Sequence, residues 1–481
     1  MRTASLLLNG LALSIAFACS AQAADFPTTP PAPGPAPKIN IPNAVETTLD
    51  NGLRVITVNR PGLPLVTTNL MVRAGAEHDP TDKSGLTYFT GELITKGAKG
   101  RSAAQIAEAA ETLGGSLDVT TGWDFSGVDM TVATPKLDAA LALMSDTVLA
   151  PDYAQEELER LRTQTLNGLK QTMSRPNAVS SMVLSRLVYG GHTYGHPTTG
   201  TPQSLPRISR DDVAKQYKAM WRPDQAILLF AGDITPAQAK ALASKYFGQW
   251  QAPNSLLPEA PAKPTTVDKG ALWVINQTGA GQSGVSMGVQ SSARKDPDYY
   301  AGTLANAILG GSYSARLNQE IRIKRGLSYG ANSRLQSLAA GGSWTSGALT
   351  KNPSSMEVVD LMRTEALRLG KDAVGADEFS ARKATLTGNY AMGLESTDGL
   401  SSVLGGLAVQ GIDLKEANRF IDRINAVTPA QVQSYAGKYF KPGALNFVVV
   451  GDTKAFEAKI PKDAVRIDVT KLNLDSPGLG K

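Results

Sequence analysis

Hydrophobic positions along the first half of the chain alternate between the two-residue period of strands and the 3.6-residue period of helices. The strand-like segments are Leu53–Val58, Val66–Val72 and an Asp118–Val132 hairpin that turns at Gly122. The helix-like segments are Ser102–Leu113, Leu137–Val148 and Glu156–Met173. The first of these helices opens with a capping-box pattern and is ended by two glycines. Strands and helices interspersed in this way predict the α+β class, with an antiparallel-rich sheet packed against helices.

Two stretches of the chain carry the same pattern at a constant spacing. ISRDDVAKQYKAMWRPDQAILLFAGD (Ile208–Asp233) and VTPAQVQSYAGKYFKPGALNFVVVGD (Val427–Asp452) both show a helix, an aromatic-basic-Pro turn, an apolar strand and a closing Gly-Asp. Trp221 and Phe440, which open the two turns, are 219 residues apart (440 − 221). The repeat predicts two homologous domains joined by a Pro-rich linker and followed by a short tail. In chain order these segments are 41–250, 251–268, 269–470 and 471–481.

The N-terminus carries the pattern of an export signal. A basic start, an apolar run too short to span a bilayer and the small residues of Ala21-Gln22-Ala23 predict a signal peptide over residues 1–23. Residues 24–40, which include PTTPPAPGPAP, predict a semi-rigid spacer. The expected location is the periplasm or the exterior of the cell. Lipidation of Cys19, the only cysteine, is the alternative to cleavage after Ala23.

Composition narrows the classes of function. Hydrophobic residues make up 42% of the chain, which suffices for sizeable cores, and beyond the export signal no apolar run is long enough for a transmembrane helix. The net charge of +5 is spread along the chain without a basic stripe, so nucleic acid is not an expected partner. Only three histidines are present for a catalytic triad, and the only cysteine precedes the expected cleavage site, which argues against a serine or cysteine nucleophile.

The opening of the first domain carries a family resemblance. The stretch NGLRVITVNRPGLPLVTTNLMVRAGAEHDPTDKSGLTYFTGELITKGAKGRS (Asn51–Ser102) is similar to the start of pitrilysin- and insulinase-type metallopeptidases, in the branch of the mitochondrial processing peptidases. The resemblance extends through both halves to about Asp452. It implies two homologous α/β-sandwich-like domains that form half of a clamshell. In that family one helix carries the inverted zinc motif H-x-x-E-H, and a Glu on a later helix is the third zinc ligand.

Every position of the implied zinc motif holds a different residue in this chain. The first His falls at Tyr88, the Glu at Gly91, the second His at Glu92 and the third ligand at Gly168. Zinc-dependent hydrolysis needs neutral imidazoles and a carboxylate base beside the metal-bound water. Because Tyr88 is a poor zinc ligand and the glycines offer no side chain, we expect no metal in this chain and an ordinary core helix at these positions.

The second half resembles the C-terminal domain of the same family over ANAILGGSYSARLNQEIRIKRGLSYGANS (Ala305–Ser333). In that domain an Arg and a Tyr seven positions later complete the active site, and Arg322 and Tyr329 have this spacing. The resemblance implies that the tyrosine hydroxyl donates to the developing oxyanion while the arginine holds a substrate carbonyl. From the residues alone, Arg322 equally fits the end of a Ser314–Ile323 helix that follows a tight turn at Gly310-Gly311-Ser312, with Tyr329 beginning a strand.

An absent zinc motif combined with an Arg/Tyr pair matches a division of labour between two chains in bacterial relatives. The resemblance therefore implies a zinc-less subunit of a heterodimeric periplasmic peptidase, with zinc in a homologous partner and peptides as substrates. The alternative is a peptide-binding or assembly scaffold of the same fold with no catalytic role.

The three histidines form no convincing ligand set. His192 and His196 have the i, i+4 spacing of two ligands on a helix, but YGGHTYGHPTTG contains too much Gly and Pro for a helix. We expect a loop with two exposed imidazoles at this position. His78 stands beside Asp79-Pro80, so we expect it to lie in a turn.

Overall fold

The computed structural model describes residues 40–255, 259, 262–267, 269–476 and 478–480. The predicted signal peptide with Cys19, the spacer up to residue 39 and part of the linker lie outside the described residues. Within the described ranges, no helix combines the length and the hydropathy that crossing a bilayer requires.

The first half of the chain builds a six-stranded mixed sheet and a two-stranded ladder. The strands are β1 (Val45–Thr48), β2 (Arg54–Asn59), β3 (Leu65–Val72), β4 (Gly97–Ala98), β5 (Arg101–Ser102), β6 (Asp118–Thr121), β7 (Ser126–Ala133) and β8 (Ala226–Gly232). The sheet order is β1-β2-β8-β3-β7-β6, and β4 pairs with β5. Only β2 and β8 run parallel; the other neighbours are antiparallel. The edge strand β6 is therefore the outer arm of a hairpin with β7.

Seven helices accompany this sheet in the described part of the first half. They are α1 (Leu86–Glu92), α2 (Ala103–Thr112), α3 (Leu137–Leu149), α4 (Gln155–Met173), α5 (Pro176–Tyr189), α6 (Arg210–Met220) and α7 (Pro236–Phe247). Helix α2 begins with the predicted capping box, in which the Ser102 side chain accepts from the Gln105 N–H and the Gln105 side chain accepts from the Ser102 N–H. The strands and helices predicted in this half are confirmed, with bounds shifted by one or two residues.

The second half repeats this arrangement. Its strands are β9 (Leu272–Asn276), β10 (Ser283–Ser291), β11 (Ser328–Ser337), β12 (Gly342–Thr350), β13 (Asn446–Gly451) and β14 (Val465–Asp468), in the order β11-β12-β10-β13-β9-β14. Its helices are α8 (Tyr299–Leu309), α9 (Arg316–Asn318), α10 (Ser355–Lys371), α11 (Ala376–Gly393), α12 (Thr397–Val409), α13 (Glu416–Ala426) and α14 (Pro429–Tyr439). The run β2-β8-β3-β7-β6 of the first sheet matches β9-β13-β10-β12-β11 of the second, which confirms the duplication and the α+β class. Edge strands β6 and β11 hold equivalent places.

One helix from each half packs against the sheet of the other half. Val183 of α5 belongs to the same buried cluster as Ile275 of β9 in the second sheet. Reciprocally, Leu404 of α12 belongs to the cluster that contains Ile227 of β8 in the first sheet. Because each sheet buries one face against its own helices and the other against a helix from the opposite half, the two halves share continuous apolar cores.

Candidate functional site

Helix α1 occupies the place where the resemblance puts a zinc motif. It begins after Gly85, whose φ of 94° suits glycine. The carboxylate of Asp79 accepts hydrogen bonds from the N–H groups of Gly85 and Thr87 at 2.8 Å each. Burial raises the pKa of Asp79 to about 7. Leu86 and Phe89 are buried in the core of the first half, so α1 is anchored at its first turn and along its apolar face.

Strand β6 fills the space at the position of the family's Glu. A Cβ on Gly91 would lie 2.8 Å from Thr121 Oγ1 and 3.2 Å from Val119 Cγ1. Both neighbours are β-branched, so their side chains have little freedom to rotate away. The backbone of α1 therefore approaches β6 too closely for a side chain at Gly91 unless the strand moves.

The other three motif positions lie around the same helix without forming a ligand set. Tyr88 and Glu92 are half-buried and one turn apart on α1. Burial, followed by the nearby Glu92, raises the pKa of Tyr88, whose hydroxyl hydrogen-bonds to Thr165 of α4. Burial likewise raises the pKa of Glu92, opposed by Lys96. On the same helix as Thr165, Gly168 has open space where a side chain would stand.

These residues do not fit a zinc ion. A zinc site takes three or four ligands from His, Cys and carboxylate side chains in a tetrahedral arrangement. The four positions here supply one carboxylate, one phenol with an elevated pKa and two glycines. Across the described ranges, no group of three or more His, Cys, Asp or Glu side chains is placed to hold a metal ion.

The Arg322/Tyr329 segment lies on the surface. Arg322 lies in a π-helical turn, Gln319–Ile323, and Tyr329 lies near the start of edge strand β11. The register between β11 and β12 shifts between Ser328 and Ala331, so Tyr329 stands in an irregularity of the strand. The Tyr329 side chain is 90% exposed, which leaves it little part in the core and frees its hydroxyl to contact another molecule.

The helix predicted over Ser314–Ile323 differs from the observed one. Helix α9 begins only at Arg316 and continues as the π-helical turn. The buried Arg382 donates hydrogen bonds to the hydroxyls of Ser312 and Ser314 at 2.8 Å each. These contacts hold the residues after Gly310-Gly311 in a loop, which is why the helix starts later than the sequence pattern suggested.

The structure does not bring the two predicted regions into contact. Among the residues that it describes, no hydrogen bond, ion pair or ring contact joins Arg322 or Tyr329 to α1. Each region lies at the edge of its own sheet instead: α1 packs against edge strand β6, and Tyr329 lies on edge strand β11.

The histidine loop is more buried than expected. His196 is only 4% exposed, and burial, followed by the nearby Arg186, lowers its pKa to about 4. His192 is half-buried, with Nε2 2.8 Å from the carbonyl oxygen of Ala262. The expectation of two exposed imidazoles is therefore wrong. Gly and Pro identify a loop, but they do not reveal which residues cover it. Arg186 of α5 lies nearby, and Asp475 Oδ1 in the C-terminal tail lies 3.9 Å from His196 Nδ1.

A buried acidic cluster between the halves was not predicted. The Tyr194 hydroxyl donates to Asp124 at 2.6 Å and lies 3.3 Å from Glu77. Asp124 also accepts a hydrogen bond from the N–H of Ala339, in the turn between β11 and β12, at 2.9 Å. Burial raises the pKa of Asp124 to about 6; the bond from Tyr194 opposes this and Glu77 adds to it. No sequence signal links residues so far apart.

Comparison with known sequences places both halves in one family. Residues 54–202 match the family described as insulinase (peptidase family M16), and residues 207–386 match the peptidase M16 inactive domain. An uncharacterized zinc protease of Bacillus subtilis is 24% identical over 396 residues, covering 82% of this chain and 95% of that protein. An uncharacterized zinc protease of Mycobacterium tuberculosis is 28% identical over 398 residues, covering 81% and 89%.

Solved structures share the fold. A peptidase M16 inactive domain from Pseudomonas fluorescens superimposes with a TM-score of 0.79 at 24% identity, covering 85% of this chain and 98% of that one. A protease from Helicobacter pylori gives a TM-score of 0.80 at 20% identity, covering 86% and 100%.

Proposed function

We propose that this chain, which belongs to the insulinase/pitrilysin (M16) family of peptidases, is a zinc-less subunit that supplies Arg322 and Tyr329 to a zinc-bearing homologue. The complex would hydrolyse peptides, with zinc in the partner. The export signal expected in the first 23 residues would place it in the periplasm or outside the cell.

The proposal rests on the contrast between a packed position in the first half and an exposed pair of side chains in the second. At the implied zinc position, the space that a catalytic Glu would need is taken up by Thr121 and Val119. At the other position, Tyr329 is 90% exposed. In the described residues, the guanidinium of Arg322 has no hydrogen bond or ion pair. Its donors are therefore free to bind a group from outside the chain.

The chemistry assigned to the pair follows from these side chains. A guanidinium with free donors can hold a peptide carbonyl, and a phenol hydroxyl can donate to the oxygen that becomes negative during hydrolysis. The partner's zinc would supply the activated water. Relatives named as zinc proteases support the expectation that a homologue of this chain carries the metal.

The test is peptide hydrolysis by this chain mixed with its nearest homologue from the same organism that has an intact H-x-x-E-H motif. Tyr329→Phe removes the oxyanion donor, so kcat of the mixture should fall about 10²- to 10³-fold while the two chains still associate. Tyr88→Phe is the matched control, because it removes a tyrosine hydroxyl whose partner, Thr165, lies within the chain. This variant should leave kcat unchanged.

Two outcomes would redirect the proposal. Equal kcat for the parent chain and Tyr329→Phe would refute the role of Tyr329. Association with the homologue or with its peptides, without any change in turnover, would instead support the assembly or peptide-binding scaffold.

A further inference from the structure

Arg322 differs from its charged neighbours in the contacts of its side chain. Lys324 and Arg325 both pair with the carboxylate of Glu320. Within the described residues, the Arg322 guanidinium makes no such pair, and its one directed contact is with the ring of Tyr313, whose centroid lies 4.8 Å from Arg322 Cζ. This distance is within the range of a cation–π interaction.

Burial does not account for the position of Tyr313. Its side chain is 63% exposed, an unusual state for a large aromatic ring in a loop. The backbone holds it instead: Asn318, which is buried, donates from Nδ2 to the carbonyl oxygen of Tyr313 at 2.6 Å. The other side of the same amide, Asn318 Oδ1, accepts from the N–H of Ala331 at 3.1 Å. One side chain therefore ties the Tyr313 loop to the strand irregularity that carries Tyr329.

The loop is also fixed from the opposite side. Arg382 of α11 binds the hydroxyls of Ser312 and Ser314, the residues before and after Tyr313. A loop clamped at both neighbours and at the carbonyl of its central residue has little freedom. The backbone position from which the exposed ring projects is therefore fixed.

We propose that Tyr313 is a positioning residue for Arg322, whose guanidinium rests on the face of the Tyr313 ring. This inference rests on the proposed function of Arg322. A carboxylate partner would occupy the donors of the guanidinium, whereas an aromatic face orients the cation through its π-system and leaves the N–H groups free. Tyr313 thus orients the arginine without competing with a peptide carbonyl.

The test is a double-mutant cycle in the mixed complex with the zinc-bearing homologue. Tyr313→Leu removes the ring and should raise KM for a peptide about two- to five-fold with little change in kcat, since an exposed cation–π contact has that strength. Tyr313→Phe keeps the ring and should behave as the parent. In an Arg322→Ala background, Tyr313→Leu should have no further effect. Tyr246→Leu, which removes the ring beneath Lys245 in the first half, is the matched control and should leave KM unchanged.

The possible failures are distinguishable. Equal effects of Tyr313→Leu with and without Arg322 would show that Tyr313 does not act through the arginine. No effect of Tyr313→Leu, while Arg322→Ala raises KM, would overturn the positioning role and leave the proposed function standing. No effect of Arg322→Ala would refute the role of Arg322 itself, and the role of Tyr313 with it.

Discussion

Edge strands β6 and β11 occupy equivalent places in two sheets of the same topology, yet the side chains around them differ in packing and exposure. In the first half, Thr121 and Val119 of β6 pack so closely on α1 that Gly91 has no room for a side chain. In the second half, β11 carries Tyr329 outward on an irregular stretch of strand. One copy of the fold uses this place for internal packing, and the other leaves a tyrosine side chain exposed. The duplication thus preserves a scaffold without preserving the chemistry at each edge.

The largest effect on the fold is expected from restoring the family's Glu in the first half. Gly91→Glu would force a Cβ against Thr121 and Val119. It should lower the free energy of unfolding by about 1 to 3 kcal/mol, as overpacking of a core does. Urea denaturation of the purified variant and its parent measures the difference. An unchanged unfolding free energy would show that β6 yields readily and that the first half can still accept a motif side chain.

The acidic cluster that joins the two regions gives a pH-dependent effect. Asp124 follows β6, and it accepts a hydrogen bond from Ala339 at the far end of the hairpin that Tyr329 begins. Because the pKa of Asp124 is raised to about 6, its contribution to stability is fully present below the unfolded-state pKa near 4 and is lost as the pH rises through about 6.

Asp124→Asn should therefore flatten the decline in unfolding free energy between pH 4 and pH 6, where each unit of pKa elevation corresponds to about 1.4 kcal/mol. The decline should be reduced, not abolished, because Asp79 also has a raised pKa. Urea denaturation at several pH values measures both slopes. Identical slopes for variant and parent would contradict the assignment of a raised pKa to Asp124.

The smallest effect is expected at the fourth motif position. Gly168 lies inside α4 and has open space around it. Gly168→Glu should stabilise the chain by about 0.5 kcal/mol, since glutamate has the higher helix propensity. The same substitution at Gly91 and Gly168 should thus change stability in opposite directions, and thermal melting of both variants checks the signs. Destabilisation at Gly168 comparable to that at Gly91 would remove the distinction between a packed position and an open one.

Much of the fold followed from the sequence because its signals are local. Alternating apolar residues predicted β2, β3 and the β6–β7 hairpin, and the capping box fixed the start of α2 at Ser102. The repeat of Ile208–Asp233 in Val427–Asp452 predicted α6 with β8 and α14 with β13. The exchange of α5 and α12 between the halves was not predictable, because periodicity shows which face of a helix is apolar but not which sheet it covers.

Only the part of the candidate site that depends on residue identity could likewise be predicted from the sequence. The prediction that Tyr88 and Gly91 stand where the resemblance puts a His and a Glu needs only residue identity. That Thr121 occupies the space beside Gly91, or that Tyr313 lies against Arg322, depends on tertiary contacts that no local pattern encodes. The burial of His196 was mispredicted for the same reason, since its cover comes from α5 and the C-terminal tail.

The most direct test of the central claim is to measure peptide hydrolysis and zinc content for the purified mature chain alone, and then for its mixture with the nearest zinc-motif homologue from the same organism. We expect an inactive, zinc-free chain that raises the activity of the homologue in a saturable manner. Hydrolysis by the chain alone, with stoichiometric bound zinc, would contradict it and show that the positions of Tyr88, Gly91, Glu92 and Gly168 were wrongly interpreted.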